Sequence, residues 1–109
     1  MASSTTIQRP LSAEPGRTNA SSPSLALDAG GNPWVAWSES DGSAGNIYVR
    51  RWDGGCWRAV GGALSAEPGS TNAFNPSLVL DSAGRPWIAW DEWDGSASNI
   101  YLQRYDVLP

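Results

Sequence analysis

The chain contains the same stretch of sequence twice, and this repetition constrains the fold more than any other feature. Residues 11–56 recur as residues 64–109, and about 29 of the 46 aligned positions are identical. A repeat of this length is typical of propeller blades and solenoid turns, whose units have apolar faces that they cannot cover alone. Two units are too few to cover every face, so we expect the chain to associate with further copies of itself.

Composition excludes several classes of partner. The chain carries 11 acidic residues against seven arginines, and its largest arginine cluster is the pair Arg50 and Arg51. A protein that binds phosphate backbones needs a denser basic surface, so we expect no nucleic-acid partner. No apolar run approaches the roughly 20 residues that span a bilayer, and residues 1–10 lack the pattern of a signal peptide. We therefore expect a soluble protein with no membrane partner.

The residue types also argue against catalysis. Histidine and lysine are absent, and Cys56 is the only cysteine, which excludes Ser–His and Cys–His nucleophile pairs, Schiff bases and zinc sites. Carboxylates remain, but they recur in both copies, whereas a glycosidase needs two acids in different roles. The acidic group Asp91, Glu92 and Asp94 matches no defined calcium motif. We predict that the chain is not an enzyme and has no cofactor or metal site.

Each repeat is predicted to form four antiparallel strands. In the first copy these are residues 23–28, 34–39, 47–53 and 56–60, separated by turns rich in Gly, Asp and Pro. No segment has the spacing of an amphipathic helix, which predicts an all-β fold. Apolar residues at successive strand positions indicate sheets covered on both faces, as in stacked blades. The competing layout is a β-sandwich, whose strands would alternate more cleanly between apolar and polar residues.

The segment PSLALD-x-x-G-x-P-W-V-A-W followed by NIYVRRWDG-x-x-W resembles the blade units of bacterial β-propellers, including lectin-like ones, over essentially the whole chain. The aspartate box of sialidase propellers is only approached at Asp28 and Asp81, because the preceding serine is missing. The resemblance to sialidases is therefore one of architecture, and it implies none of their catalytic residues. It implies a β-propeller with two four-stranded blades per chain.

The position of the repeats within the chain predicts how blades from several chains would join into a closed ring. Residues 4–11 align with residues 57–64, which places Ile7 at the position of Val60 in the fourth strand. We therefore divide the chain into residues 1–10, an outer strand that completes a neighbouring chain's blade, residues 11–63, the first blade repeat, and residues 64–109, a second repeat lacking its outer strand. The alternative is that residues 1–10 form a polar, disordered tail.

Such a chain would form a cyclic homo-oligomer closed head to tail by exchange of the N-terminal strand. Two blades per chain give six blades from a trimer or eight from a tetramer. The bulky tryptophans of the repeats favour eight slightly, because wider gaps separate the blades of a larger ring.

Candidate binding residues lie in segments predicted to be loops at one end of the ring, namely residues 11–22 with 38–46 and residues 64–75 with 91–99, with Trp37 and Trp90 at the entrance of this region. Carboxylates, amides and indole rings that converge there would suit a sugar, which needs directional hydrogen bonds and an apolar plate. The candidates are Glu14, Asn19, Trp37, Glu39, Asp41, Asn46, Glu67, Asn72, Trp90, Glu92, Trp93, Asp94 and Asn99.

These residues also have a structural interpretation, since Asp and Asn in such loops often bond their own backbone and strand tryptophans often fill the core. The sequence thus predicts a non-catalytic, self-assembling, lectin-like propeller protomer with shallow repeated pockets for a glycan. The alternative is a structural or engineered symmetric propeller fragment with no selected ligand.

Overall fold

The structure, a computed structural model, describes residues 19–40, 44–65 and 71–106. These residues form seven β-strands and no helix, so the predicted all-β class is confirmed. The strands are β1 (Asn19–Leu27), β2 (Pro33–Ser40), β3 (Gly45–Trp52), β4 (Trp57–Ala59), β5 (Asn72–Leu80), β6 (Pro86–Trp93) and β7 (Ser98–Arg104). Within the described ranges there is accordingly no helix of the length and apolarity that a membrane crossing requires.

Each repeat forms one antiparallel sheet. The first sheet has the order β1-β2-β3-β4, and the second has the order β5-β6-β7, with no strand at the position of β4 among the described residues. β1 and β5 share a register irregularity, at which Ser22 and Asn75 take positive φ angles of 53° and 54°. The same bulge at equivalent positions means that the two copies specify the same backbone. The predicted outer strand of residues 1–10 lies outside the described residues.

Several strands begin or end at other residues than predicted, and β4 (Trp57–Ala59) is shorter than the predicted 56–60. β1 and β5 begin at Asn19 and Asn72, inside segments predicted to be loops, and β2 continues through Glu39 to Ser40. Glu39 pairs with Asn46, and Glu92 pairs with Asn99 in the second sheet. The loop assignment was wrong for these positions because polar side chains on a strand do not stop its backbone pairing.

Each sheet has two distinct faces, because successive residues of a strand point to opposite sides and paired residues share a side. The front face carries Leu25 in the first sheet and the equivalent Leu78 in the second. The back face carries Ile47 in the first sheet and Ile100 in the second. The faces are equivalent between copies, residue for residue, at the 53-position offset of the repeat.

The core lies where the front of the second sheet packs on the back of the first. It comprises Trp34, Ala36, Ile47, Val49 and Val60 from the first repeat and Ala73, Leu78, Ile88 and Trp90 from the second. Burying each large apolar side chain contributes about 1.5–3 kcal/mol to stability, so this contact holds the two sheets together.

Hydrogen bonds tie the two sheets together at two places. The Gly45 N–H donates to Asn72 Oδ1 at 2.7 Å, and the Leu78 N–H donates to Ser24 Oγ at 3.1 Å. Leu64, in the segment that leads to the second sheet, pairs with Ile47 of the first sheet, and their backbone groups exchange two bonds of 2.9 and 2.7 Å. Gly45 approaches the second sheet closely, since a Cβ there would lie 3.3 Å from the Ala73 carbonyl oxygen. The second sheet is therefore fixed in register on the first.

The other two faces are largely uncovered among the described residues, although Trp37 and Glu39 on the front of the first sheet are buried. Leu25, on the front of the first sheet, is 66% exposed, whereas its equivalent Leu78 is 5% exposed. Ile100, on the back of the second sheet, is 76% exposed, whereas its equivalent Ile47 is 0% exposed. Further exposed apolar residues on these two faces are Leu27, Val79 and Leu102. Identical sequence positions thus meet an apolar partner in one copy and solvent in the other.

The matched pair Ile47 and Ile100 tests this asymmetry. In dilute solution, Ile47→Ala should lower the free energy of unfolding by about 2–5 kcal/mol, the cost of an emptied core position. Ile100→Ala should cost about 0.5 kcal/mol or less, as at other exposed sites. Chemical denaturation followed by tryptophan fluorescence measures both values, and equal losses would contradict the packing described here.

Candidate functional site

A buried indole–carboxylate pair occupies the front face of each sheet. Trp37 Nε1 donates to Glu39 Oε1 at 2.7 Å, and Trp90 Nε1 donates to Glu92 Oε1 at the same distance. All four side chains are at most 5% exposed. The residues lie two positions apart on one strand, so their side chains share a face and can bond directly. The structure therefore brings together the tryptophans and glutamates that sequence reasoning selected.

Hydroxyl groups complete the surroundings of Glu92. Its Oε2 atom accepts hydrogen bonds from Ser65 Oγ, at 2.9 Å, and from Thr71 Oγ1. Three donors on one buried carboxylate offset much of the cost of removing it from water. Both glutamates are engaged inside the protein, where they hold Trp37 and Trp90 in place.

Ring stacking extends the pairs across each sheet. Tyr48 stacks on Trp37 with centroids 5.8 Å apart, and Tyr101 stacks on Trp90 at 6.1 Å. The Arg50 guanidinium lies 6.0 Å from the Trp37 ring centre. The indole planes thus have neighbours on their own sheet.

The amides among the candidates differ in burial between equivalent positions. Asn72 lies in the contact between the sheets as the acceptor of the Gly45 N–H, while its equivalent Asn19 is exposed. Asn46 is buried with its Oδ1 atom unpaired among the described residues, while its equivalent Asn99 is exposed. In each repeat one amide is thus held within the protein, Asn46 in the first and Asn72 in the second, and the other faces solvent.

The carboxylate of Asp94 is bound by its own hairpin. It accepts bonds from the N–H groups of Ser96, at 2.9 Å, and Ala97, at 2.8 Å, and from Ser96 Oγ at 3.0 Å. These backbone donors, with that of Ala97 foremost, lower the pKa of Asp94 below its usual 3.8. Asp94 therefore shapes the turn between β6 and β7.

An exposed aromatic and polar patch lies at the end of β6. Trp93 is 45% exposed and Phe74 is 43% exposed, and both lie on the back face with Asp91. Asn75 Nδ2 donates to Asp91 Oδ1 at 3.0 Å. The first repeat has serine at the positions of Phe74, Asp91 and Trp93. Of the sequence-selected candidates, Trp93 alone combines a large apolar ring with solvent access in the described residues.

Sequence reasoning did not assign a role to the aspartates of the short turns. Asp28 accepts from two backbone N–H groups at 2.9 Å each and from Trp34 Nε1 at 3.2 Å. Asp81 makes the same bonds and reaches Trp87 Nε1 at 2.9 Å. The bond from Asn32 lowers the pKa of Asp28, and the bond from Trp87 lowers that of Asp81. The D-x-x-G-x-P-W pattern was the available signal, because it places an indole donor six residues after each aspartate.

The remaining candidates, Glu14, Asp41 and Glu67, lie outside the described residues. In residues 19–40, 44–65 and 71–106 no group of three or more Cys, Asp or Glu side chains is arranged to hold a metal ion. Asp91 and Glu92 lie on opposite faces of β6, so the acidic group of the second copy does not converge.

Comparisons of the chain with protein-family models, curated proteins and solved structures gave no significant match. The interpretation of the site therefore depends on its geometry.

The hydrogen bond between Trp90 and Glu92 can be tested by substitution. Trp90→Phe removes the Nε1 donor and leaves a buried carboxylate oxygen short of a partner, which should cost about 1–3 kcal/mol of stability. Trp93→Phe is the matched control on the same strand, and it should change stability by about 0.5 kcal/mol or less. Urea denaturation measures the stability of both variants. A Trp90→Phe protein as stable as the control would contradict a stabilising role for the hydrogen bond between Trp90 and Glu92.

Proposed function

We propose that the chain is a non-catalytic protomer that assembles head to tail with copies of itself into a closed β-propeller. One observation carries this proposal: the two uncovered faces are equivalent to the two faces that pack together inside the chain. The exposed back of the second sheet matches the buried back of the first, and the exposed front of the first matches the buried front of the second. A second copy can therefore cover each of them by repeating a contact that the chain already makes.

The direction of packing supports stacked blades over a sandwich. In a two-layer sandwich the inner faces of both sheets meet and both outer faces face solvent. Here the front of the second sheet meets the back of the first. The front of the first sheet and the back of the second are left free at the two ends of the stack. Such head-to-tail association continues until it closes as a ring or extends as a filament.

The open edge of the second sheet supports strand exchange. β7 has no strand on its outer side among the described residues, whereas its equivalent β3 pairs with β4. An unpaired edge exposes a row of N–H and C=O groups, and native proteins cover such edges. Residues 4–9 of a neighbouring chain, which align with the region of β4, are the proposed cover.

The ring would contain six blades from a trimer or eight from a tetramer, with eight slightly preferred. Native mass spectrometry should give a single closed species at three or four times 11.6 kDa. A monomer at micromolar concentration would contradict the proposal, and a ladder of growing masses would indicate a filament.

Deletion of residues 1–9 tests strand exchange separately. Without the donated strand the ring should be lost and the exposed sheet edges should promote aggregation. Size-exclusion chromatography with light scattering measures the change. A truncated chain that assembles like the full chain would exclude the exchange and leave face packing as the only contact.

Carbohydrate binding is a second candidate function, and the exposure of Trp93 favours it. An accessible indole offers an apolar plate for a sugar ring, and Asp91 and Asn75 nearby offer hydrogen-bonding groups. Repetition of a weak site around a ring would raise avidity without improving any single contact.

A glycan array with the assembled protein tests this second candidate. Saturable binding that is lost in Trp93→Ser, which copies Ser40 of the first repeat, would support a sugar site. Trp57→Phe, a change of a tryptophan on the outer strand of the first sheet, is the control and should bind normally. No binding across the array would favour a propeller protomer without a selected ligand.

A further inference from the structure

Two side chains accept hydrogen bonds across the contact inside the chain. Their equivalents in the other repeat accept no such bond from the described residues. Asn72 Oδ1 receives the Gly45 N–H, and Ser24 Oγ receives the Leu78 N–H. The equivalent of Asn72 is Asn19, and the equivalent of Ser24 is Ser77. Both are exposed, and neither side chain bonds another described residue.

The donors of the two internal bonds also have equivalents. At the 53-position offset, Gly45 corresponds to Ser98 and Leu78 corresponds to Leu25. Both donors are backbone N–H groups, so the change from glycine to serine keeps the donor. A Cβ at Gly45 would lie 3.3 Å from the Ala73 carbonyl oxygen, so a few tenths of an ångström of movement would admit Ser98.

We propose that Asn19 and Ser77 set the register of the boundary between neighbouring chains. Asn19 Oδ1 of one chain accepts the Ser98 N–H of its neighbour, and Ser77 Oγ of that neighbour accepts the Leu25 N–H in return. The apolar faces supply attraction without direction, whereas these two bonds select one register, because a shift of a single residue would break both. This inference rests on the proposed head-to-tail assembly and assigns Asn19 to the boundary instead of a ligand.

The positions at the two ends of the boundary agree with this assignment. Asn19 starts β1 and Ser98 starts β7, so they lie at the same end of their sheets, as do Asn72 and Gly45. Ser77 and Leu25 are central in β5 and β1. Two bonds at separate points along a strand fix both translation and tilt.

Subunit exchange measures the strength of the boundary. Cys56 is free and exposed at the turn before β4, so it can carry a donor or an acceptor dye for energy transfer. Mixing labelled assemblies over a dilution series gives the dissociation constant of the wild type and of each variant. Asn19→Ala and Ser77→Ala should each raise the dissociation constant roughly three- to tenfold per boundary, the effect of losing one neutral hydrogen bond.

Asn72→Ala and Ser24→Ala are the matched controls. They remove the same bonds from the internal contact, so they should lower the urea midpoint of the isolated chain, whereas Asn19→Ala and Ser77→Ala should leave it unchanged. Variants at exposed positions are expected to fold normally, and the urea midpoint verifies this for each of them.

The outcomes separate the inference from the proposed function. If the wild type assembles and the Asn19 and Ser77 variants dissociate at its concentration, the register assignment is wrong and the assembly stands. If the two variants lower the urea midpoint as much as their controls, they act within the chain, and the assignment is also wrong. If the wild type does not assemble at any concentration, both proposals fail.

Discussion

The packing of unlike faces, the front of one sheet on the back of the other, is the contact on which the rest of the structure depends. It buries Ile47, Leu78 and Ile88, and it holds the register of the two repeats through the bonds at Asn72 and Ser24. Because the contact joins two different faces of equivalent sheets, it leaves one of each uncovered. The front of the first sheet and the back of the second therefore remain available for the same kind of contact. Further sheets could be added to the stack at both ends.

Buried polar groups make this packing specific. Glu92 lies almost without solvent access among three donors, and Trp90 is held by one of its oxygens. A carboxylate in such a place stabilises only the arrangement in which all its donors are present, since each alternative leaves it unpaired. The same pair recurs as Trp37 and Glu39 on the front of the first sheet. A neighbouring chain would meet a rigid surface there.

The boundary between chains would differ from the internal contact at one end. Asp91 takes the position of the buried Ser38, and Trp93 takes that of Ser40. Ser40 is exposed at the edge of the internal contact, so Trp93 would lie at the equivalent edge of the boundary, beside the proposed bond between Asn19 and Ser98. Assembly and sugar binding would then be compatible, because the ring of Trp93 would keep an exposed edge at each chain boundary.

Much of the fold follows from local sequence. The aromatic and β-branched run PWVAW, the alternation within IYVRRW, the turns at D-x-x-G-x-P and the near identity of the two copies predict strands, their order and an all-β chain. The strand ends were predicted less well, because Glu39 and Asn46 are polar yet remain in the ladder through backbone bonds that do not depend on side-chain type.

The candidate site was likewise predicted only in part. Spacing of two along a strand was sufficient to place Trp90 and Glu92 on one face, but it could not show that their mutual bond and their burial occupy both groups.

The sequence by itself determined the repeated unit, its strands and the residues that are equivalent in the two copies. Only the tertiary structure decided which equivalent residue is covered, so that Ile47 is buried and Ile100 faces solvent. The physical reason is that strand formation depends on local backbone preferences and pairing, which both copies share. Burial depends on what lies against a face, and a stack of two sheets provides that neighbour on one side of each sheet only.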